Sequence, residues 1–352
     1  MKVVHVVVPA GIDDPRRPSG GNVYDRRVID GLVALGWDVR EVAVAGGWPE
    51  PDSSARAGVG AAIAAVPDGG VVVVDGLVAS TVPEVLVPET TRLRLVVLVH
   101  LPLGEGLPAA HVRAREQAVL DAASAVVATS PWTRHRLLDR YSLDPHLVHV
   151  AEPGVDPAEL VPGIEPGTSL LCVAALAPHK GHDVLLDALA KLADLDWRLT
   201  LVGSLTEDPG YVEQLVDHLR ETELEERVRL TGPLVGRDLA TAYATADLLV
   251  LASRGETFGM VVTEALSRGL PVVASHVGGL PHALGRVRDG TRPGLLVPPD
   301  DPGALADALR RWLEDGELRE RLRAAAADRR RTLTGWDATA RRVADVLARV
   351  AT

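Results

Sequence analysis

Eleven short apolar runs, most of them rich in valine, recur along this chain with helical segments between several of them. The first five are VVHVVVP at 3–9, DVREVAVA at 38–45, VVVVDG at 71–76, LRLVVLVH at 93–100 and AVVATS at 125–130. Runs this short and this continuously apolar suit strands buried on both faces of a parallel sheet. Helical patterns lie between them, as in GNVYDRRVIDGLVALG at 21–36 and PAAHVRAREQAVLDAA at 108–123. The stretch VPGIEPGTS at 161–169 interrupts the pattern with two prolines and two glycines and reads as a linker. A second series follows at 170–176, 197–203, 228–232, 246–253, 270–275 and 294–299, with helices such as DVLLDALAKL and YVEQLVDHLRET. The expected architecture is α/β, two Rossmann-like domains with parallel sheets facing across a cleft, spanning 1–163 and 164–334. Ligands of such sheets bind outside the carboxyl ends of the strands, and a cleft between domains is a usual place for one.

Composition removes several classes of function. The chain has 352 residues with 47% hydrophobic and 24% charged, enough for sizeable cores. With aromatics at 3% and a single Phe, those cores must be built from Val, Leu and Ala. A formal charge of −11 argues against nucleic acid or an anionic membrane as the main partner; peripheral membrane contact stays open. One cysteine, Cys172, excludes an internal disulfide and a cysteine zinc cluster, and its place in LLCVAAL suits a buried strand. The start MKVVHVVVPAG reads as a first buried strand and not a signal peptide. No run approaches the roughly 18 unbroken apolar residues of a membrane span, so the expectation is a soluble, cytoplasmic protein.

The most informative stretch is SRGETFGMVVTEALSRGLPVVAS at 253–275. A strand, a tight turn and a helix ending at Gly269 follow one another. The backbone N–H groups of Phe258, Gly259 and Met260 would be unpaired at the helix start, where with the helix dipole they form an anion site. Glycine at 259 admits a ligand close to the backbone. Glu256 lies just before the helix and Glu264 inside it. Carboxylates beside an anion site make sense for a ligand that carries both phosphates and sugar hydroxyls, with Glu264 on a ribose and Glu256 on a second sugar. The plainer alternative is a surface Glu256 and a helical Glu264 paired with Arg268 four residues on.

The run E-T-F-G-M-V-V-T-E-A-L-S-R-G-L-P-V-V-A-S, followed by V-G-G at 277–279, resembles the signature of the retaining glycosyltransferases of family 4, which have the two-domain GT-B fold. The resemblance covers nearly the whole chain. It implies that Glu256 and the amides after it contact the donor sugar and that Glu264 binds the ribose. In VAALAPHKGHDVLLDAL, Lys180 and Gly181 follow the second domain's first strand without a Walker A pattern. Alone Lys180 reads as a solvated loop lysine; beside a phosphate site it is a sensible cation. Where the family has Gly-Arg-Leu shortly before this lysine, the chain has Ala174-Ala175-Leu176, so a substitute for the arginine is expected: Arg254, a protonated His179 or, more weakly, Ser204. Gly20 and Gly21 precede a helix and resemble the family's glycine loop near the donor phosphate. His100 ends a strand where the family has a histidine near the reacting sugar. Gly278-Gly279 match a family loop; His282 stands in place of a Glu, and Pro153 in place of an Asn. The helix after Trp336, at 335–352, is implied to cross back onto the first domain. The basic run Arg134, His135, Arg136 and Arg140 reads as a solvated helix face.

No D-x-D pair sits at a strand end, so no metal is expected and no cofactor beyond the substrate itself. The expected activity is retaining, metal-independent transfer of a hexose-type sugar from a UDP- or GDP-sugar to a hydroxyl of a small molecule or glycan. His100, Glu256 and Lys180 are the expected catalytic groups. Gly20, Gly21, Gly181, Arg254, Phe258, Gly259, Met260 and Glu264 are the expected donor-binding groups. The alternatives are a non-catalytic nucleotide-sugar-binding protein of the same fold and a nucleotide-sugar hydrolase or epimerase.

Overall fold

The computed structural model describes residues 2–16, 18–106, 110–163 and 166–351. They divide into two compact units. The first takes the described residues up to Asp14, then Ser19–Gly154 and those from Gly335 on; the second takes Pro15, Arg16, Pro18 and Val155–Thr334.

The first unit is built on strands β1 (Val3–Pro9), β2 (Asp38–Val44), β3 (Val71–Asp75), β4 (Arg94–Val99), β5 (Ala125–Ala128) and β6 (Val148–Val150). They pair in parallel in the order β2-β1-β3-β4-β5-β6. Successive strand side chains point to opposite faces, and both faces here are covered. Val72, Val74, Val97 and Val99 pack with Val59, Ile63 and Leu86. Val71, Val73, Val96 and Leu98 pack with Tyr24, Val28, Ile29, Val343 and Leu347. The last three valine-rich strands of this series therefore need no polar face, which is why they read as unbroken apolar runs. Helix Gly20–Ala34 lies close against helix Trp336–Val350: a Cβ on Gly31 would sit 2.4 Å from that of Ala340. Strand β6 was not anticipated; three residues are too few to show a period. Of the helix expected at 108–123, the structure has Ala110–Ala122; Pro108 and Ala109 lie outside the described residues.

The second unit carries β7 (Ser169–Val173), β8 (Arg198–Val202), β9 (Val228–Leu230), β10 (Leu248–Leu251), β11 (Val272–Ser275) and β12 (Gly294–Val297). Their order is β12-β11-β10-β7-β8-β9, again all parallel. Two tryptophans, Trp197 and Trp312, are fully buried in its core.

The division does not fall at residue 163. Residues 155–163 have no regular structure, yet their hydrogen bonds tie them to the second unit: Val155 N donates to Thr334 O at 3.0 Å, Val161 N to Arg268 O at 2.9 Å, and the Arg330 guanidinium to Ala158 O. A proline- and glycine-rich segment marks irregular backbone, which is not the same as a boundary. Ile164 and Glu165, within the expected linker, lie outside the described residues.

Each strand order reverses direction once, between β1 and β3 in the first unit and between β7 and β10 in the second. The carboxyl ends flanking such a reversal leave a crevice in the loops. Among the described residues no helix is long and apolar enough to cross a membrane.

Candidate active site

At the reversal in the second unit, β7 runs into a single 3-10 turn, Pro178–Lys180, closed by Gly181. Gly181 has φ of +66°, and a Cβ there would sit 2.1 Å from Ala252 O just past β10. Only glycine lets the two loops press together, and the result is a contact between them: Lys180 Nζ donates to Glu256 Oε1 at 2.7 Å. Ser253 Oγ donates to the same oxygen at 3.2 Å. The two charged side chains are 20% and 14% exposed, enough for a substrate to reach them and little enough for the pair to matter. From the other side Gly279 N donates to Glu256 O at 2.8 Å, and a Cβ on Gly278 would fall 1.8 Å from that oxygen. Glu256 is thus held through both its side chain and its backbone. Helix Met260–Ser267 begins after Gly259, at φ +92°, with no side chain capping it, while Phe258 is buried in the core. The first amides of this helix therefore have no side-chain acceptor at the cap position.

Glu264 lies in the same helix, and Tyr243 Oη donates to its Oε2 at 2.8 Å. Burial raises the Glu264 pKa above the ordinary carboxylate value, opposed by that hydrogen bond and by Arg268. Arg268 does not pair with the carboxylate as a four-residue spacing suggests. It donates to the Glu264 backbone carbonyl at 2.8 Å and lies over the Tyr243 ring at 4.5 Å. One carboxylate oxygen, Oε2, is thus fixed by the tyrosine.

The expectation that Arg254 binds the donor diphosphate does not fit its surroundings. Its NH1 and NH2 donate to the two Asp183 oxygens at 3.0 and 2.7 Å, its Nε donates to Asp300 at 2.6 Å, and NH1 also reaches Pro178 O. A bidentate fork between a guanidinium and a carboxylate is a strong, directional pair. Burial pushes the Asp183 pKa up, but hydrogen bonds from Arg254 and Tyr211 outweigh it and bring it to about 2. Arg254 therefore braces the Lys180 turn. His179 is held below its ordinary pKa by burial and by the Lys180 charge, so it is neutral near pH 7. Ser204 is buried, its hydroxyl shared with Thr206. None of the three substitutes foreseen for the missing arginine is therefore an unengaged cation.

In the first unit Gly20 and Gly21 are the opening residues of a helix and not a loop ahead of it, with Ser19 as the cap accepting from Asn22 N. Gly21 lies against His100: a Cβ there would be 3.4 Å from the ring carbon Cδ2. His100, just past β4, is joined by two residues that were not foreseen. Its Nε2 lies 2.8 Å from Asp25 Oδ1 and 3.4 Å from Asp75 Oδ2. Both were detectable in the sequence. Asp25 occupies the helix face of Val28, Ile29 and Leu32, and Asp75 ends an all-valine strand. These three are the group among the described residues whose ligand atoms, within 4.8 Å of one another, could hold a metal. The nitrogen and carboxylate atoms concerned are, however, hydrogen-bonded to one another, which a metal would have to undo. The chain after His100 is pinned by Glu116, whose buried carboxylate accepts from Leu103 N and Gly104 N at 2.9 Å each and from Tyr141 Oη. The basic run is not a purely solvated face: Arg134 donates to the carbonyls of Val148 and Pro145 and Arg140 to that of Gly104.

The site residues thus fall into two groups, one at each reversal. A cavity of about 570 Å³ in the second unit, lined by Ser169, Arg198 and Thr245 among others, lies at the opposite, amino-terminal ends of β7 and β8.

The family model described as Glycosyltransferase Family 4 matches residues 71–159, and that described as Glycosyl transferases group 1 matches 163–329. A D-inositol 3-phosphate glycosyltransferase of Kineococcus radiotolerans is 36% identical over 259 residues, 66% of this chain and 59% of that protein. One from Nocardioides sp. is 38% identical over 266 residues, 69% of this chain and 57% of that protein. The match therefore spans less than two thirds of these relatives' own length. The solved structure of Anabaena HepE in complex with UDP-glucose superposes with a TM-score of 0.80 at 20% identity, covering 99% of this chain and 100% of that one, and shows the same GT-B fold. With both family models matched in order along it and both parallel sheets of the fold in place, the chain belongs to glycosyltransferase family 4, the group 1 glycosyl transferases.

Proposed function

We propose that this chain transfers a hexose-type sugar, with retention, from a UDP- or GDP-sugar to a hydroxyl of a small polyol, its phosphate, or a glycan. The observation that carries this is the Lys180–Glu256 pair beside an uncapped helix start, with Glu264 held by Tyr243 in the same helix. In this reading Lys180 and the helix start take the charge of the diphosphate as it leaves. Glu256 accepts from the sugar's hydroxyls and Glu264 from the ribose. The bond between the sugar's anomeric carbon and the diphosphate oxygen breaks with its electron pair on the diphosphate. The acceptor oxygen bonds to the same face of that carbon, and its proton passes to the departing phosphate oxygen. No step calls for a metal ion. The relatives named D-inositol 3-phosphate glycosyltransferases support a polyol phosphate as acceptor, and the neighbour holding UDP-glucose supports a uridine donor.

One observation favours a second reading. With Ala175 where the family has arginine and Arg254 engaged by Asp183, a single lysine faces two phosphates. A protein that binds a nucleotide-sugar without turning it over would suit that. Incubation with UDP- and GDP-hexoses, following free nucleotide, separates the readings. Release that depends on an inositol phosphate or sugar acceptor supports transfer. Release with water alone indicates hydrolysis, and binding without release indicates the non-catalytic protein.

A further inference from the structure

The group formed by Asp25, Asp75 and His100 is more than a histidine at a strand end. We infer that Asp25 and Asp75 are positioning residues that turn Nε2 of His100 inward and keep the ring cationic, so that Nδ1–H is a fixed donor to a substrate oxygen and not a base.

The geometry leaves the ring little choice. Asp75 Oδ1 is occupied by Leu77 N at 2.8 Å and Val78 N at 3.3 Å as the cap of a short helix, so its carboxylate cannot swing away and Oδ2 stays 3.4 Å from Nε2. Asp25, on the buried face of helix Gly20–Ala34, brings Oδ1 to 2.8 Å from the same nitrogen. The two carboxylates are 3% and 5% exposed. Tyr24 meets the ring edge-on at 5.2 Å, its hydroxyl committed to Ala151 O at 2.8 Å, and Gly21 abuts Cδ2. Among the described residues Nδ1 has no hydrogen-bond partner, and the side chain is 22% exposed. With a neutral imidazole, two buried carboxylates would face each other, and either one would have to take up a proton or the pair would lack a counter-charge. An imidazolium resolves it.

Among the described residues the groups facing the ring are Asp25 and Tyr24 from the first helix and Asp75 from the end of β3; Arg342 acts on Tyr24 from the C-terminal helix, and the Thr129 hydroxyl, after β5, donates to the His100 carbonyl and not to the ring. Burial alone lowers the His100 pKa, but the two carboxylates outweigh it and raise it to about 10. Burial raises that of Asp25, His100 opposes it, and Asp75 adds to it. The chemical consequence is selectivity. A fixed cationic N–H recognises a lone pair, of a hydroxyl or a phosphate oxygen, and rejects an ammonium. That such a substrate meets His100 rests on the function proposed above; the state of the ring does not.

The test is a nitrogen-15 NMR titration of His100 in the ligand-free protein, beside Asp25→Asn and Asp75→Asn, the latter retaining a capping oxygen. Wild-type His100 is expected to stay doubly protonated from acid pH to well above neutrality. Each variant is expected to lower its midpoint by about 1–3 pH units, the effect of an opposite charge at hydrogen-bond range. Turnover in either variant should then fall as pH rises through the lowered midpoint, with no matching break in wild type. A wild-type midpoint near the ordinary 6.5, or midpoints unmoved in both variants, overturns the inference, as does a loss of turnover equal at every pH. Displacement of the His100 proton by added Mg²⁺ or Zn²⁺ would overturn it in favour of a metal centre. If no turnover is found at all, the NMR arm still decides the clamp, and the failure belongs to the proposed function.

Discussion

Separating Lys180 from Glu256 tests whether the loops at the second reversal carry an energetic link or only a contact. At 2.7 Å and an effective dielectric of ~20, the gross attraction is about 6 kcal/mol. Both side chains are four-fifths or more buried, so desolvation takes back much of that. A charged hydrogen bond of this kind nets about 1.5–3 kcal/mol. The assay is a double-mutant cycle by urea denaturation with Lys180→Met, Glu256→Gln and the pair. Lys180→Met should be the more destabilising single change, since it strands a carboxylate, whereas Glu256→Gln leaves the lysine an oxygen acceptor. Titration calorimetry with UDP and GDP then divides the roles. Lys180→Met should weaken the nucleoside diphosphate, and Glu256→Gln should not, because it releases the ammonium for phosphate. A coupling below about 0.5 kcal/mol, within the range of exposed pairs, would refute the energetic link. Equal loss of nucleotide affinity in the two variants would refute the division of labour.

Arg254→Ala should lower the unfolding midpoint in denaturant while leaving nucleoside diphosphate affinity near that of the parent; a selective loss of affinity would restore the phosphate role. Gly181→Ala should cost about 2 kcal/mol or more, from a left-handed backbone and the 2.1 Å approach to Ala252 O, and circular dichroism melts report it. Glu264 has a raised pKa, so its favourable contribution belongs to the protonated form, is present below the ordinary value of 4.5 and is lost as pH rises through the folded-state value. Glu264→Gln should therefore stabilise the protein at pH 7 while weakening nucleotide binding, a trade seen as a higher melting temperature with a poorer Kd. Asp183 is the opposite case. Its stabilisation is present above 3.8 and is lost as pH falls toward 2, so Asp183→Asn should flatten the acid limb of stability against pH.

Much of the fold was legible because its strands are buried on both faces and say so in valine: β3 and β4 read directly from VVVVD and RLVVLV. The boundary at Gly154 was not, since what assigns residues 155–163 is a set of backbone hydrogen bonds to Thr334 and Arg268 and not composition. The site divides in the same way. Lys180, Glu256 and Gly181 stood at strand ends, where the topology brings loops together, and the structure joins them. Arg254 read as a free cation because its partner Asp183 lies 71 positions earlier, in the helix His182–Ala190. Glu264 and Arg268 had the spacing of an ion pair, but spacing carries no knowledge of the Tyr243 ring that holds both. Asp25 was legible and passed over: a carboxylate on an otherwise apolar helix face needs a buried partner, and His100 is that partner.

The most direct test of the account follows a carbon-13-labelled hexose from donor to acceptor. UDP- and GDP-linked sugars would be supplied with an inositol phosphate or a simple sugar, and the product examined by mass spectrometry and proton NMR. The account predicts a hexosylated acceptor with the donor's anomeric configuration, lost on Glu256→Gln while nucleotide affinity persists. A product of inverted configuration, or tight donor binding with no product from any pairing, would contradict it.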